Sequence, residues 1–171
     1  MISLPLPNEY NEFYSGYVDS IEEQDVLVCL RKQLKAIPDF LWQIPDTKQE
    51  FAYAEGKWTL KQVIQHINDI ERVFTFRALS FARGDKQDMP GMDQNVYMEN
   101  IDASKREYAK MIDEFVALRV ATICLFEDLT PEQLTLFGTA SGFAVSVRAL
   151  AALTAGHAQH HINIIKERYL P

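Results

Sequence analysis

Three of the four histidines in this chain, His157, His160 and His161, fall within five residues of one another. His157 and His161 stand at i and i+4, so on a helix their imidazoles leave the same face about one turn apart, the spacing at which helical histidine pairs chelate one ion. Leu150, Leu153 and Ile164 share that face, which therefore points inward. The fourth histidine, His66, sits one residue off an apolar ridge of Val63, Ile67 and Ile70 and can also face inward. Three neutral imidazoles from two helices would leave a four-coordinate divalent ion one open position, the pattern of catalytic rather than closed structural sites, where bound water ionises near neutral pH. Asp69, three residues after His66, can hydrogen-bond the outer nitrogen of a ligand and fix its tautomer. His160 stays outside the ligand set, able to turn toward the site, bind substrate or reach solvent. The plainer reading of such histidines is as hydrogen-bonded core residues, because an HxxxH spacing alone is weak; the inward face and the matching His66 favour the metal.

Other chemistry finds little support. No nucleophile elbow, P-loop or dinucleotide glycine pattern is present, and neither cysteine has a histidine beside it in sequence. Cys29 and Cys124 lie in separate apolar helical stretches without CxxC spacing and read as buried free thiols of a reducing compartment. Arg77 and Arg148 each share a helix with a candidate ligand and can hold an anionic substrate, with surface ion pairing as the simpler role. Phe74, Phe76 and Phe81 read as packing at helical spacing rather than as an aromatic substrate box.

The elements that must position these groups follow from periodicity and caps. Asp19 or Ser20 can cap a first helix built on Val26, Leu27, Leu30 and Leu34 and ending before Pro38. Asp39 to Lys57 reads as a connection. Thr59 caps the clearest helix, running to Arg83 with Gly84 as its stop; at 1.5 Å per residue it is on the order of 36 Å long, which is bundle length. Asp85 to Asp102, with Pro90 and Gly91, is a long crossover. A third helix spans about Ala103 to Glu127, Thr130-Pro131-Glu132 opens a short one, and Ser146 opens a fourth long helix reaching Arg168. The Gly/Ser/Thr patch from Gly138 to Gly142 separates the last two, and no strand alternation of usable length is visible. Four long amphipathic helices must bury one another, so the expected fold is all-α: a four-helix bundle, one domain over residues 1–171, with the long crossover between the second and third long helices.

Composition narrows the partners. Hydrophobic residues at 47% and charged residues at 24% are those of an ordinary globular protein. A net charge of −7 without a Lys/Arg cluster argues against nucleic acid and against an anionic membrane surface. Apolar runs such as Ala149 to Ala155 are far shorter than a membrane span, and the Met1 start has no basic leader, so the expected location is cytoplasmic.

The chain also resembles the DinB-like superfamily in three places. The first is Lys57-Trp58-Thr59-Leu60-Lys61-Gln62-Val63 running into His66, then Asp69, Glu71-Arg72-Val73-Phe74 and Arg77-Ala78-Leu79. The second is Phe81-Ala82-Arg83-Gly84-Asp85 followed by Pro90-Gly91-Met92-Asp93. The third is Ser146-Val147-Arg148-Ala149-Leu150, then Ala155-Gly156-His157, His160-His161 and Lys166-Glu167-Arg168-Tyr169. The resemblance implies a bundle in which the positions of His66, His157 and His161 hold zinc or nickel, often in homodimers. It implies as activities thiol-S-transfer with low-molecular-weight thiols, related isomerisation, or metal-dependent hydrolysis, without choosing among them. The expected function is accordingly a hydrolase-like metal-dependent enzyme that activates water against a small-molecule substrate. The alternatives are S-transfer from a low-molecular-weight thiol at the same metal, and a non-catalytic metal or small-ligand binding bundle, suggested by the lack of an obvious general base. Substrate specificity is expected in the crossover around Met89 to Tyr97 and in the loop from Gly138 to Phe143.

Overall fold

A computed structural model describes residues 1–170. Asp25, rather than Asp19 or Ser20, starts the first long helix: its Oδ1 accepts from the backbone N–H of Leu27 at 3.0 Å and of Ile2 at 2.9 Å. One carboxylate thus caps a helix and ties down the chain's start. A short helix, α1 (Ser15–Asp19), precedes it, and α2 runs Val26–Leu41. Helix α2 passes through Pro38 instead of ending before it. Proline there removes only one donor near the last turn, and Ile37, Pro38 and Leu41 are all buried by the extra turn.

Helix α3 (Leu60–Ala82) keeps the expected bounds, because Thr59 and Gln62 form a reciprocal capping box and Gly84 takes a left-handed φ of 86° just past the end. The crossover contains α4 (Gln94–Glu99), capped by Asp93. Helix α5 (Tyr108–Glu127) begins later than expected: Ala103–Lys105 is a single 3-10 turn and Arg106 is extended, turned toward Gln65 and Glu114. Thr130 caps the short α6 (Pro131–Leu134) as expected. Ser146 caps α7 (Val147–Ile164) through its Oγ, 3.0 Å from the N–H of Ala149, and a wider terminal turn, Ile165–Tyr169, continues it.

The Gly/Ser/Thr patch is a hairpin, which the strand-free reading did not anticipate. Strands β1 (Phe137–Ala140) and β2 (Phe143–Ser146) pair antiparallel across Ser141-Gly142, whose φ values of 55° and 81° are those of a tight hairpin turn. Four-residue strands are too short for alternation to register. Gly138 lets the hairpin lie on the core, since a Cβ there would meet the Phe81 ring at 2.2 Å.

Helix directions follow from which residues share a core. One apolar cluster joins Val26 to Leu30 of α2, Phe74 to Ala82 of α3, Ile123 and Phe126 of α5, and Val147 to Ala155 of α7. The other joins Ile37 and Leu41, Leu60 to Ile67, Tyr108 to Phe115, and Ala158 to Ile165. Helices α2 and α7 therefore run one way, while α3 and α5 run the other, and the long segment between α3 and α5 returns the chain to the end at which α3 began. That is the expected crossover topology, with α3 packed between α5 and α7. Among the described residues, no helix is long and apolar enough to cross a membrane. Two smaller expectations change: Cys124 and Phe76 lie on exposed faces, whereas Cys29, Phe74 and Phe81 are buried as expected.

Between the two apolar clusters lies a polar layer drawn from all four long helices. Arg119, fully buried, donates through Nε and Nη2 to the two oxygens of Glu71 at 2.8 and 2.9 Å, and through Nη1 to Gln33 at 2.5 Å. Thr122 donates to Glu71 at 2.7 Å, and Gln33 donates onward to the carbonyl of Ala155 at 3.0 Å. Removing one partner of such a pair leaves a bare charge in the core, so Arg119→Met should cost about 3–5 kcal/mol in urea unfolding. Adding Glu71→Leu should restore most of it, and a single-variant loss below about 1 kcal/mol would contradict this account.

Candidate metal centre

His66 lies in the second turn of α3, and His157 and His161 lie on the face of α7 that packs against it. The long-range pairing expected from the sequence therefore forms. One ring nitrogen from each histidine lies within 4.8 Å of the others, and Nε2 of His66 stands 3.0 Å from Nε2 of His157. The ring centroids are 4.5 to 4.8 Å apart, with steep interplanar angles that aim the rings toward a common point. His66 is 1% exposed and His157 4%, and His161 is half-buried.

Their environment keeps all three neutral. Burial pushes His66 down to about 4, helped by the neighbouring His160. Burial pushes His161 down to about 3, with His66 and His160 adding to it. His157 is driven well below its ordinary value by burial first, then by the other histidines and by Arg119. Neutral imidazoles with clustered ring nitrogens are the donor set a divalent transition metal takes. Nitrogen ligands at about 2.0–2.1 Å in a tetrahedral set sit about 3.3 Å from one another. The observed separations bracket that value, so small ring rotations suffice, and the residues fit such an ion.

The histidines form the inner end of a cavity of about 780 Å³. Trp58 packs on His66 with centroids 4.9 Å apart, and Phe74 stands 6.2 Å from His157, so two rings are held by aromatic contact. Tyr14, which precedes α1, and Tyr17 within it form one wall; Gly91 to Asn95 of the crossover and Ser141 of the hairpin form the mouth. Both loops expected to shape specificity therefore reach this cavity. The tyrosine wall was missed by sequence reasoning, although the aromatic density of Tyr10, Phe13, Tyr14 and Tyr17 signalled it. Gly156 permits the wall: a Cβ there would sit 2.1 Å from the carbonyl oxygen of Tyr17, so α1 lies directly on α7 beside His157.

The remaining candidates divide. His160 lines the cavity, tilted on Tyr17 and edge-on to His161. Arg77 also lines it. Arg148 does not: it pairs with the buried carboxylate of Glu9, which also accepts from Ser146 Oγ at 2.6 Å, and so serves to clasp the N-terminal segment to the start of α7. Asp69 does not reach a histidine either. Its Oδ1 accepts from Gln65 Nε2 at 2.8 Å and faces Arg72, while His66 Nδ1 is buried without a hydrogen-bond partner. The i+3 spacing placed Asp69 near His66, but the neighbouring amide captured its carboxylate.

Two outcomes follow from this geometry. In the metal-free protein the unfolded chain binds protons below the ordinary imidazole value of about 6.5, whereas the folded histidines stay neutral. Its stability should be full above that pH and fall as pH drops toward about 4, which melting scans across this range would read and which His66→Phe should flatten. Carboxylates that hold a ligand usually change metal affinity by about 10–100-fold when removed. Because Asp69 holds none, Asp69→Asn should leave zinc affinity within about threefold in a competition titration, against near-complete loss in His157→Ala.

Comparison with known proteins agrees with this architecture. Residues 30–165 match the DinB superfamily. Among solved structures the chain is similar to YfiT from Bacillus subtilis, described as a probable metal-dependent hydrolase with an unusual four-helix bundle topology. The TM-score is 0.65 at 20% identity, covering 95% of this chain and 89% of that one, a likeness of fold. No match is found among curated protein sequences. With the matched stretch holding His66, His157, His161 and the paired Glu71 and Arg119, carried on three of the four long helices, the chain belongs to the DinB superfamily.

Proposed function

We propose that this protein is a metal-dependent hydrolase of a small molecule, with His66, His157 and His161 holding a divalent zinc or nickel ion. The observation that carries the reading is the convergence of three neutral imidazoles at the inner end of an accessible cavity. When bound, the ion supplies Lewis acidity, lowering the pKa of a nucleophile at its open position and polarising the bond under attack. The description of YfiT as a probable metal-dependent hydrolase points the same way.

The chain's own residues supply the rest. Trp58 and Phe74 fix ring orientation and keep water from the backs of His66 and His157. Tyr17 and His160 stand beside the histidines, where each can hydrogen-bond a substrate's polar atoms. The cavity's carboxylate among the described residues is Asp93, exposed at the mouth and occupied in capping α4. That feature favours a second reading. A low-molecular-weight thiol needs no carboxylate base once its pKa is lowered, so S-transfer at the same ion is the alternative. Pure metal or ligand binding is the third.

The test is turnover by zinc- and nickel-loaded protein on ester, amide and thiol-conjugate panels, with and without an added low-molecular-weight thiol. Hydrolysis without thiol, reduced by roughly 100-fold or more in His157→Ala, is the expected result. Turnover only with thiol replaces it by S-transfer. Stoichiometric metal without turnover on any panel leaves a binding bundle.

A further inference from the structure

Three cations are buried among the described residues, and two have carboxylates: Arg119 holds Glu71, and Lys61 lies 2.9 Å from Glu50. Arg77 is the exception. It is 6% exposed, lies on the cavity wall, and has no carboxylate in salt-bridge range. Its Nη2 donates to the Pro90 carbonyl at 2.7 Å and to Ser141 Oγ at 3.3 Å, both neutral acceptors. Burial lowers its pKa, while the phenols of Tyr14 and Tyr97 act the other way. An arginine remains charged under all ordinary conditions, so this fold keeps an uncompensated cation inside a protein of net charge −7.

The surrounding backbone is built around that guanidinium. Ser141 occupies a left-handed φ of 55°, which an ordinary side chain adopts only at a cost, and its hydroxyl reaches Arg77 from there. The hairpin turn is pinned to the crossover by Ser141 N–H to Met89 O at 3.0 Å and Met89 N–H to Thr139 O at 2.9 Å. This brings the Pro90 carbonyl and the Ser141 hydroxyl to the same nitrogen. Arg77 stands three residues beyond Phe74, which in turn faces His157, so one continuous cavity wall runs from the histidines to the guanidinium.

We propose that Arg77, with Ser141, is an anion subsite, and that the small molecule handled at the histidines carries a carboxylate at the end remote from the metal. A carboxylate fits better than a phosphate. The subsite offers one guanidinium and one hydroxyl; Arg72 in the adjoining pocket is already paired with Glu114, the N-terminus of α4 at the mouth is already capped by Asp93, and a planar carboxylate matches a guanidinium edge. Asp93 at the mouth further disfavours higher charge. The second arm of this inference, the distance to the metal, rests on the proposed metal site; the anion subsite itself does not.

The experiment is calorimetry on zinc-loaded protein with ω-mercaptocarboxylic acids of increasing chain length, each beside its ω-mercaptoalcohol. The thiol anchors both at the metal, and only the acid can pair with Arg77 as an anion. At a matching chain length the acid should bind roughly tenfold or more tightly than the alcohol. Arg77→Gln should erase that preference, and Arg77→Lys should keep part of it. Equal affinity for acid and alcohol in the wild type at every length would overturn the proposal without recourse to any variant. So would a preference that survives Arg77→Gln in protein whose melting curve shows it folded. If the protein takes up no zinc, the metal reading has failed; in that case, or if zinc-loaded protein binds neither series, the metal-free protein decides: heptanoate favoured over heptanol, read by tryptophan fluorescence with Trp58 on the cavity wall and lost in Arg77→Gln, sustains the subsite, and no preference removes it.

Discussion

The bidentate pair between Arg119 and Glu71 constrains the whole bundle. Apolar side chains can slide past one another at little cost, but a fully buried guanidinium and carboxylate cannot separate without leaving a bare charge in a low-dielectric interior. Through Gln33, Thr122 and the Ala155 carbonyl, the same network reaches α2, α5 and α7 from α3. It therefore holds four helices in one register midway along their length, with apolar clusters above and below free to pack for volume. A buried ion pair adds little net stability compared with a well-packed apolar substitute, so its contribution here is to uniqueness of alignment.

That alignment is what the histidines need. Glu71 lies five residues beyond His66 on α3, and Ala155 lies two residues before His157 on α7. A slip of either helix by one residue would turn a histidine about 100° away from the others. The network thus fixes both halves of the candidate site from outside it. Its guanidinium also helps keep His157 neutral. Stability and chemistry are coupled here through geometry more than through shared contacts.

The open side of the site is closed differently. The N-terminal segment is held by Asp25 at one point and by the Glu9, Arg148 and Ser146 clasp at another, and between them Tyr14 and Tyr17 are laid across α7. Gly156 makes the approach possible at the position preceding His157. The crossover and the hairpin complete the mouth. Regular helices thus carry the three histidines, while the irregular segments shape the cavity mouth, a division of labour that lets the mouth vary without moving the histidines.

What the sequence alone determined was whatever a single helical turn can decide. The Thr59 and Ser146 caps, the Gly84 stop, the α3 periodicity and the His157 and His161 pair all depend on residues three or four apart, so they could be read directly and hold in the fold. The inward position of His66 was legible for the same reason, since it borders an apolar ridge. Asp25 displaced Asp19 and Ser20 as the first cap because it also bonds Ile2, a contact that helical periodicity does not contain. The tertiary structure alone decided which partner each polar group found: Asp69 met Gln65 instead of His66, Arg148 met Glu9 instead of a ligand, Arg119 met Glu71, and Arg77 met no carboxylate. Those choices depend on how helices dock and how loops return. Docking is set by the packing of side chains distant in sequence, and no local pattern of types and spacings encodes it.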